Sequence, residues 1–197
     1  MKSRLAMFWI VSLTGCSGLP RVNSEPKFTT TFSDSDEEFQ GVSVRKYSAA
    51  KRRHLFIYHY EAAPEVIFQD LVRLKGFAPV RWDDNGTGIE GPGKGTIRWV
   101  SAAGREVREE IMEYDAPYMY FYQIDPAKST FKFRLKNHIA AVTVESDGEG
   151  GSIVIWRIYY DYTFRLLSLL KKPLFNTVIS KGLDGLVDIH GGTRLRP

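Results

Sequence analysis

The stretch REVREEIMEYDAPYMYFYQI, Arg105–Ile124, contains the pattern that decides the fold class. Its first half alternates between two kinds of side chain, which is the period of a β-strand with two different faces. Asp115-Ala116-Pro117 then supplies turn-forming residues, and the second half is rich in aromatic side chains that favour strands. We therefore predict an antiparallel hairpin here. One predicted face of its first strand carries Val107, Glu109 and Ile111, and the other carries Arg108, Glu110 and Met112.

Strand-like segments continue on both sides of this hairpin. Thr96–Val100 precedes it, and Phe131–Ser146 and Ser152–Thr163 follow it. The separating segments SAAG, DPAKS and DGEGG consist of residues that favour turns. Short strands joined in this way most simply form an antiparallel meander. An earlier strand is predicted over Arg53–Glu61, where large residues alternate.

Two helices are predicted outside the meander. Pro64 suits the first turn of a helix and Gly76 its end. The C-terminal helix is predicted to begin at Pro173 and to end at Gly191-Gly192. The apolar stripe of the first helix contains Val66, Ile67, Leu71, Val72 and Leu74. The stripe of the last helix contains Leu174, Phe175, Val178, Ile179, Leu183, Leu186 and Val187.

This order of elements resembles the helix-grip fold of the START/Bet v 1-like (SRPBCC) superfamily, which includes polyketide cyclase/dehydrase-like proteins. The resemblance spans about residues 53–189 and lies in AAPEVIFQDLVRL, GPGKGTIRWV, VREEIMEYDAPYMYFYQI and DGEGGSIVIWRI. It implies an α+β fold in which a curved antiparallel sheet of about seven strands wraps around a long C-terminal helix. It also implies a cavity between the sheet and that helix, which in the family takes sterols, lipids or polyketides.

Aromatic side chains on the predicted strands are the candidates for lining such a cavity, because ligand pockets are mostly apolar with a few polar groups. The alternative is that these aromatics form an ordinary hydrophobic core, since each of them buries a large area. The candidate ligand-binding residues are Tyr58, Tyr60, Trp99, Tyr120, Tyr122 and Trp156, together with Glu109.

Glu109 is the candidate catalytic residue, because the resemblance matches it to an acid that often points into the cavity. A carboxyl group in apolar surroundings has a raised pKa and can donate or accept a proton. The alternative is a structural salt bridge with a neighbouring arginine such as Arg98 or Arg157.

The start of the chain is typical of an exported protein. Lys2 and Arg4 precede the apolar run Leu5–Leu13, which is too short to span a bilayer. The four residues that end at Cys16, Leu-Thr-Gly-Cys, resemble the lipobox of bacterial lipoproteins, whose cysteine carries diacylglycerol. Cys16 is the only cysteine of the chain, so it has no partner for an internal disulfide. A start site assigned too far upstream, or a buried N-terminal strand, is the alternative.

We accordingly predict a signal peptide over residues 1–15, a flexible tether over 16–46 and a helix-grip domain over 47–192. The tether is rich in Ser, Thr, Pro and acidic residues and lacks periodicity. In lipoproteins, Ser17 beside the lipidated cysteine implies sorting to the outer membrane. The predicted location is therefore the cell envelope, with the domain facing the periplasm.

Several classes of function are not favoured. GIEGPGKGT, Gly88–Thr96, has the glycine and lysine spacing of a phosphate-binding loop, but Gly95 replaces the required Ser or Thr and a strand follows. We predict no nucleotide, and we expect Lys94 to be an exposed charge on a tight turn unless it points toward Glu109. The formal net charge of +4 is too small to indicate nucleic acid, and the four histidines lack local zinc spacing.

Three functional hypotheses follow. The first is a membrane-tethered module that binds a hydrophobic small molecule or lipid without covalent chemistry, metal or cofactor. The second is a cyclase/dehydrase-like enzyme that uses Glu109 as acid or base. The third is an envelope scaffold for protein partners whose cavity is filled by its own side chains.

Overall fold

The structure is a computed structural model that describes residues 37–102, 104–131, 135–163 and 167–196, with the backbone alone for residues 102, 167–175 and 196. The predicted signal peptide, Cys16 and the tether up to residue 36 lie outside the described residues. The strands are β1 (Glu38–Phe39), β2 (Val42–Ser43), β3 (Arg52–Tyr60), β4 (Val80–Asp83), β5 (Ile97–Ala102), β6 (Arg105–Asp115), β7 (Met119–Ile124), β8 (Leu135–Ser146), β9 (Ser152–Tyr162) and β10 (Thr193–Arg196). The helices are α1 (Pro64–Val72) and α2 (Leu167–His190), and a 3-10 helix covers Val44–Lys46.

The last eight of these strands form one antiparallel sheet in the order β10-β3-β9-β8-β7-β6-β5-β4. Strands β4 to β9 are neighbours in chain order, which confirms the predicted meander and the α+β class. The sheet has eight strands where about seven were expected: β4 was not assigned from the sequence, and β10 lies beyond the predicted end of the domain at residue 192 and pairs with β3. Gly192 permits this return: its φ is +114°, and a Cβ there would lie 2.1 Å from the carbonyl oxygen of His59.

Both helices pack on one face of the sheet, which we call the inner face; the opposite face is the outer face. Leu71 of α1 and Leu183 of α2 are fully buried there. Helix α2 begins at Leu167, before the predicted start at Pro173. Val66 and Val178, which the predicted apolar stripes included, are 45% and 56% exposed, because each lies on the side of its helix that faces away from the sheet.

The outer face is covered by residues that the sequence assigned to the tether. Phe39 and Val44 are buried in a cluster with Phe121 of β7 and Tyr159 of β9. The ring of Phe39 meets that of Phe121 edge-on, with centroids 5.8 Å apart. Residues 37–46 are therefore part of the folded domain, since the apolar side chains of this face need cover from water. The tether was predicted from the polar composition of residues 16–46, so Phe39 and Val44 within it were not recognised as part of the domain.

Candidate functional site

Five of the six strand aromatics nominated from the sequence lie together on the inner face. Tyr58, Tyr60, Tyr120, Tyr122 and Trp156 are each at most 4% exposed. The ring centroid of Tyr122 lies 6.1 Å from that of Tyr120 and 6.2 Å from that of Trp156. Residues i and i+2 of a strand share one face, so alternate aromatics on β3 and β7 build one layer beneath the helices.

Trp99 faces the other way, which corrects its nomination as a ligand-binding residue. Its neighbour Arg98 points to the inner face, so Trp99 points to the outer face. There the guanidinium of Arg81 lies 5.2 Å from the centroid of the Trp99 ring, a cation–π contact. Alternation showed that Trp99 and Arg98 have opposite orientations, but it did not show which of the two meets the helices.

The hydroxyl groups of three inner-face tyrosines are used to hold the helices. Tyr58 donates to Oδ1 of Asp184 at 2.7 Å, and Tyr60 donates to the carbonyl of Leu183 at 3.1 Å. Tyr120 donates to the carbonyl of Leu71 at 3.2 Å. These bonds connect β3 to α2 and β7 to α1. They give these three residues a structural role beside any contact they make with a ligand.

Glu109 forms a buried ion pair with Arg98, its direct cross-strand partner. Nε of Arg98 donates to Oε2 of Glu109 at 2.7 Å, while Nη1 donates to the carbonyl of Val72 at 2.6 Å. The guanidinium also lies over the ring of Tyr122, 4.9 Å from its centroid. The pair thus joins β5, β6, β7 and the end of α1. Of the two arginines considered for Glu109, Arg98 is its partner.

Burial is the largest influence on the pKa values of this pair. It raises the pKa of the Glu109 carboxyl, and the attraction of Arg98 only partly opposes that rise. For Arg98, burial acts in the lowering direction, but Glu109 together with Tyr120 and Tyr122 outweighs it and the pKa is raised, so the guanidinium stays charged. Burial raises the pKa of Tyr122 well above its usual value, and the nearby Glu109 adds to this. The site therefore holds a carboxyl group with an elevated pKa next to a neutral phenol.

The glycine-rich loop and Arg157 belong to the outer face. Nζ of Lys94 lies 2.6 Å from Oε2 of Glu113, which also accepts from Lys46 at 3.1 Å and from the hydroxyl of Tyr47. A register shift in β6 between Ile111 and Glu113 turns Glu113 outward, away from Glu109. Lys94 is an exposed charge on this turn, as expected, and it pairs with Glu113 and not with Glu109. The guanidinium of Arg157 lies 4.3 Å from the ring centroid of Phe39.

Glu113 has a strongly perturbed pKa. Burial alone would raise it, but hydrogen bonds from Lys94, Tyr47 and Lys46 together lower it to about 2. The carboxylate is therefore ionised at neutral pH and holds the segment before β3 against the loop before β5. Glu113 thus holds residues 37–46 on the outer face of the sheet and does not contribute to the inner face.

A chain of polar side chains on the inner face was not found from the sequence. His54 contacts Oδ1 of Asn176 through Nδ1 at 2.5 Å and the hydroxyl of Tyr160 through Nε2 at 2.8 Å. The hydroxyl of Tyr160 contacts that of Tyr162 at 2.9 Å. His54 is an even number of residues from Tyr58 along β3, and Tyr160 and Tyr162 are an even number from Trp156 along β9, so alternation alone places them on the same face as those aromatics. Their contacts with one another follow only from the placement of β3, β9 and α2.

His138 is a second buried histidine on this face. Its Nδ1 accepts a hydrogen bond from the backbone N–H of Ile124 at 3.2 Å, and its ring lies beside that of Tyr122. Burial lowers the pKa of His138 to about 3, so the ring is neutral at ordinary pH. This bond ties β8 to β7 next to the bulge at Asn137, whose φ is +52°.

Within the residues that the structure describes, no group of three or more His, Cys, Asp or Glu side chains is arranged to hold a metal ion. Among the helices that the structure describes, none is long and apolar enough to cross a membrane.

The fold is similar to that of several solved structures. The protein XoxI from Bacillus cereus is 16% identical over 70% of this chain and 94% of its own, with a TM-score of 0.55. A protein from Thermobifida fusca is 17% identical over 70% of this chain and 91% of its own, with a TM-score of 0.55. Norcoclaurine synthase from Thalictrum flavum, solved with dopamine and hydroxybenzaldehyde, is 12% identical over 77% and 92%, with a TM-score of 0.50.

These likenesses show a Bet v 1-like fold and, at such low identity, the fold alone. No protein-family model matches the sequence, and no curated protein matches it significantly.

Proposed function

We propose that this chain is an exported lipoprotein whose Bet v 1-like domain binds a hydrophobic small molecule or lipid between the inner face of the sheet and α2. The composition of the inner face carries this proposal. Among the residues that the structure describes, its aromatic and aliphatic layer contains the buried side chains of His54, Arg98, Glu109 and His138, each at most 7% exposed. Such groups are rarely buried in a purely structural core, whereas ligand sites combine an apolar lining with a few polar groups.

The membrane part of the proposal rests on the sequence. The basic and apolar leader before Leu13-Thr14-Gly15-Cys16 favours lipid attachment at Cys16, and Ser17 favours the outer membrane with the domain facing the periplasm. Two or three acyl chains would anchor the protein almost irreversibly. A domain held at a membrane surface is well placed to exchange apolar molecules with it.

One specific observation favours a second function, a cyclase/dehydrase-like enzyme. Burial raises the pKa of Glu109, as expected for a carboxyl group that takes part in proton transfer. Its Oε2, however, already accepts from Arg98, so turnover would require a substrate that reaches the same carboxyl group. The scaffold hypothesis is favoured instead by the tyrosine hydroxyls that bind α1 and α2 directly.

The first experiment tests whether the protein carries a ligand. Because residues 37–46 belong to the domain, full-length protein with Cys16→Ala is purified without detergent and studied by native mass spectrometry. We expect an additional mass that organic extraction removes. Afterwards the extracted protein should take up 1-anilinonaphthalene-8-sulfonate with a rise in fluorescence.

A matched pair of variants locates the binding. Ala140 and Ala141 are adjacent in β8 and fully buried, but Ala140 belongs to the inner core and Ala141 to the outer cluster. Ala140→Leu should weaken uptake of the dye severalfold, whereas Ala141→Leu, with a comparable overpacking cost of about 1–3 kcal/mol, should not. No bound mass and no uptake by the parent protein would refute the binding function and favour the scaffold.

A further inference from the structure

The chain of hydrogen bonds between α2, β3 and β9 has properties that the other polar contacts of the inner face lack. We call Asn176, His54, Tyr160 and Tyr162 the inner relay. Its three contacts, 2.5, 2.8 and 2.9 Å long, all join one side chain to another. Such bonds are only about 10–15% of protein hydrogen bonds, so three in series are unusual. The relay connects a fully buried hydroxyl to a half-buried one.

The fold brings the relay together from distant parts of the chain. His54 lies diagonally across from Tyr160, because it pairs with Ile158 in the β3–β9 register. Asn176 lies one helical turn before Ile179; the residue is largely exposed, but its Oδ1 reaches the ring of His54 on β3. The His54 ring also stacks on those of Phe56 and Tyr160, with centroids 6.1 and 5.7 Å away. Packing thus fixes the orientation of the imidazole.

The inner relay ends on a different kind of group from the tyrosine hydroxyls that hold the helices. The hydroxyls of Tyr58, Tyr60 and Tyr120 end on Asp184 or on backbone carbonyls. The relay instead reaches Tyr162, the last residue of β9, which is half-buried and packs at the edge of the inner core. Its ring meets that of Tyr160 edge-on at 5.0 Å. The relay therefore extends from the fully buried hydroxyl of Tyr160 to a residue that is only partly buried.

The bonds also have a direction. With Oδ1 of Asn176 as the acceptor, His54 carries its proton on Nδ1, and Nε2 accepts from the hydroxyl of Tyr160. Tyr160 then accepts from the hydroxyl of Tyr162. Burial raises the pKa of Tyr160, so its hydroxyl is protonated, and because its one proton goes to Nε2 of His54 its oxygen is left to accept from Tyr162. Tyr162 consequently presents oxygen lone pairs, and not a proton, to a further group.

We propose that the inner relay is the polar end of the ligand site and that Oη of Tyr162 accepts a hydrogen bond from a hydroxyl group of an otherwise apolar ligand. The ligand class is then an apolar alcohol or phenol. This inference rests on the proposed binding function. It adds to it the chemical group that is recognised and the residue that recognises it.

Three probes that share a naphthalene ring system but differ in hydrogen-bonding capacity test this proposal. 2-Naphthol can donate a hydrogen bond, 2-methoxynaphthalene can only accept one, and naphthalene can do neither. Full-length Cys16→Ala protein is titrated with each probe by displacement of 1-anilinonaphthalene-8-sulfonate. A net neutral hydrogen bond corresponds to about a five- to tenfold tighter Kd for 2-naphthol than for the other two probes.

The variant Tyr162→Phe removes the acceptor without changing the ring. It should bring the three Kd values to within about twofold of one another while leaving the Kd of naphthalene unchanged. Tyr47→Phe is the matched control, because it removes a hydroxyl bonded to Glu113 on the outer face and should keep the preference for 2-naphthol. Should Tyr162→Phe misfold by circular dichroism, Tyr160→Phe interrupts the same relay and should reduce the preference.

The outcomes distinguish the two proposals. Equal binding of all three probes by the parent protein, or an undiminished preference for 2-naphthol in Tyr162→Phe, overturns the relay as the recognition element and leaves the binding function standing. Failure of all three probes to bind, together with no bound mass in native spectrometry, overturns both. A preference that is present in the parent and in Tyr47→Phe but lost in Tyr162→Phe supports the inference.

Discussion

Arg98 and Glu109 are direct partners on β5 and β6, and their side chains form an ion pair of 2.7 Å buried beneath α1. Nη1 of the guanidinium also donates to the carbonyl of Val72, so the same residue holds the C-terminal end of α1. A charge in this position depends on its partner, because leaving either group alone in the core carries a large desolvation penalty. The pair is therefore a structural element, and its guanidinium also lies over the ring of Tyr122.

We expect removal of one member of this pair to be much more harmful than replacement of both. Arg98→Met or Glu109→Leu should each lower the free energy of unfolding by about 3–5 kcal/mol, since an uncompensated buried charge remains. The double variant should recover most of that loss. Urea denaturation of the four proteins gives the coupling energy. Additive losses in the double variant would show that the two charges do not depend on each other.

Substitution of two tryptophans tests whether Trp156 lies on the inner face and Trp99 on the outer face. Trp156→Ala should lower the free energy of unfolding by about 3–5 kcal/mol, because the ring is buried between Phe77 and Tyr122. Trp99→Ala should cost less than about 1 kcal/mol, the scale of its cation–π contact with Arg81. Chemical denaturation of both variants checks this. Equal losses would contradict the assignment of Trp99 to the outer face.

His138 makes the stability depend on pH in a defined window. Its pKa is about 3 in the folded protein and near 6.5 when unfolded, so the unfolded chain binds the extra proton between these values. The stabilisation is complete above pH 6.5 and is lost as the pH falls toward 3. His138→Asn retains an acceptor for the N–H of Ile124 without titrating.

Between pH 7.5 and pH 5, the parent protein should lose about 2 kcal/mol more than His138→Asn in urea denaturation. Parallel losses in the two proteins would show that His138 does not titrate on unfolding. Circular dichroism at pH 7.5 provides the control that both are folded.

Residues 37–46, which cover the outer face, should be held less tightly when Glu113 loses its charge. The folded pKa of about 2 lies below the ordinary 4.5, so its stabilisation is present above pH 4.5 and is lost as the pH falls toward 2. Lys94 and Lys46 are more than half exposed, so screening reduces the effect to about 1–2 kcal/mol. At pH 7, Glu113→Gln should therefore speed hydrogen exchange severalfold in residues 37–50.

Glu110→Gln serves as the control for this measurement. Its side chain is 39% exposed and pairs with Arg108 at 3.5 Å, away from the hairpin of β1 and β2. Unchanged exchange over residues 37–50 in Glu113→Gln would mean that apolar packing alone retains this segment.

The anchor is tested by Cys16→Ala. We expect the parent chain in the membrane fraction with the mass of a lipid-modified N-terminus, and the variant in the soluble fraction without that mass, because the acyl chains supply the membrane affinity. Ser17→Ala is the matched control, since it preserves the thiol. A variant that stays in the membrane fraction would remove Cys16 as the anchor.

The sequence by itself determined the local features of this protein. Period-two alternation and turn-forming residues between Thr96 and Thr163 predict the meander, and Pro64 predicts the start of α1, because these signals act between residues close in the chain. The same alternation correctly placed Val107, Glu109 and Ile111 on one face of β6. It did not determine which face the helices cover, and for that reason Trp99 was nominated with the inner-face aromatics although it lies on the outer face.

Only the tertiary structure decided the long-range relationships. His54 and Asn176 are 122 positions apart, and β10 reaches β3 only after α2 has crossed the sheet, so no local pattern encodes either contact. The burial of Phe39 and Val44 likewise depends on an apolar outer face that forms from β7, β8 and β9. Hydrogen bonds and desolvation act between groups that are close in space, and that proximity exists only after the sheet and helices have packed.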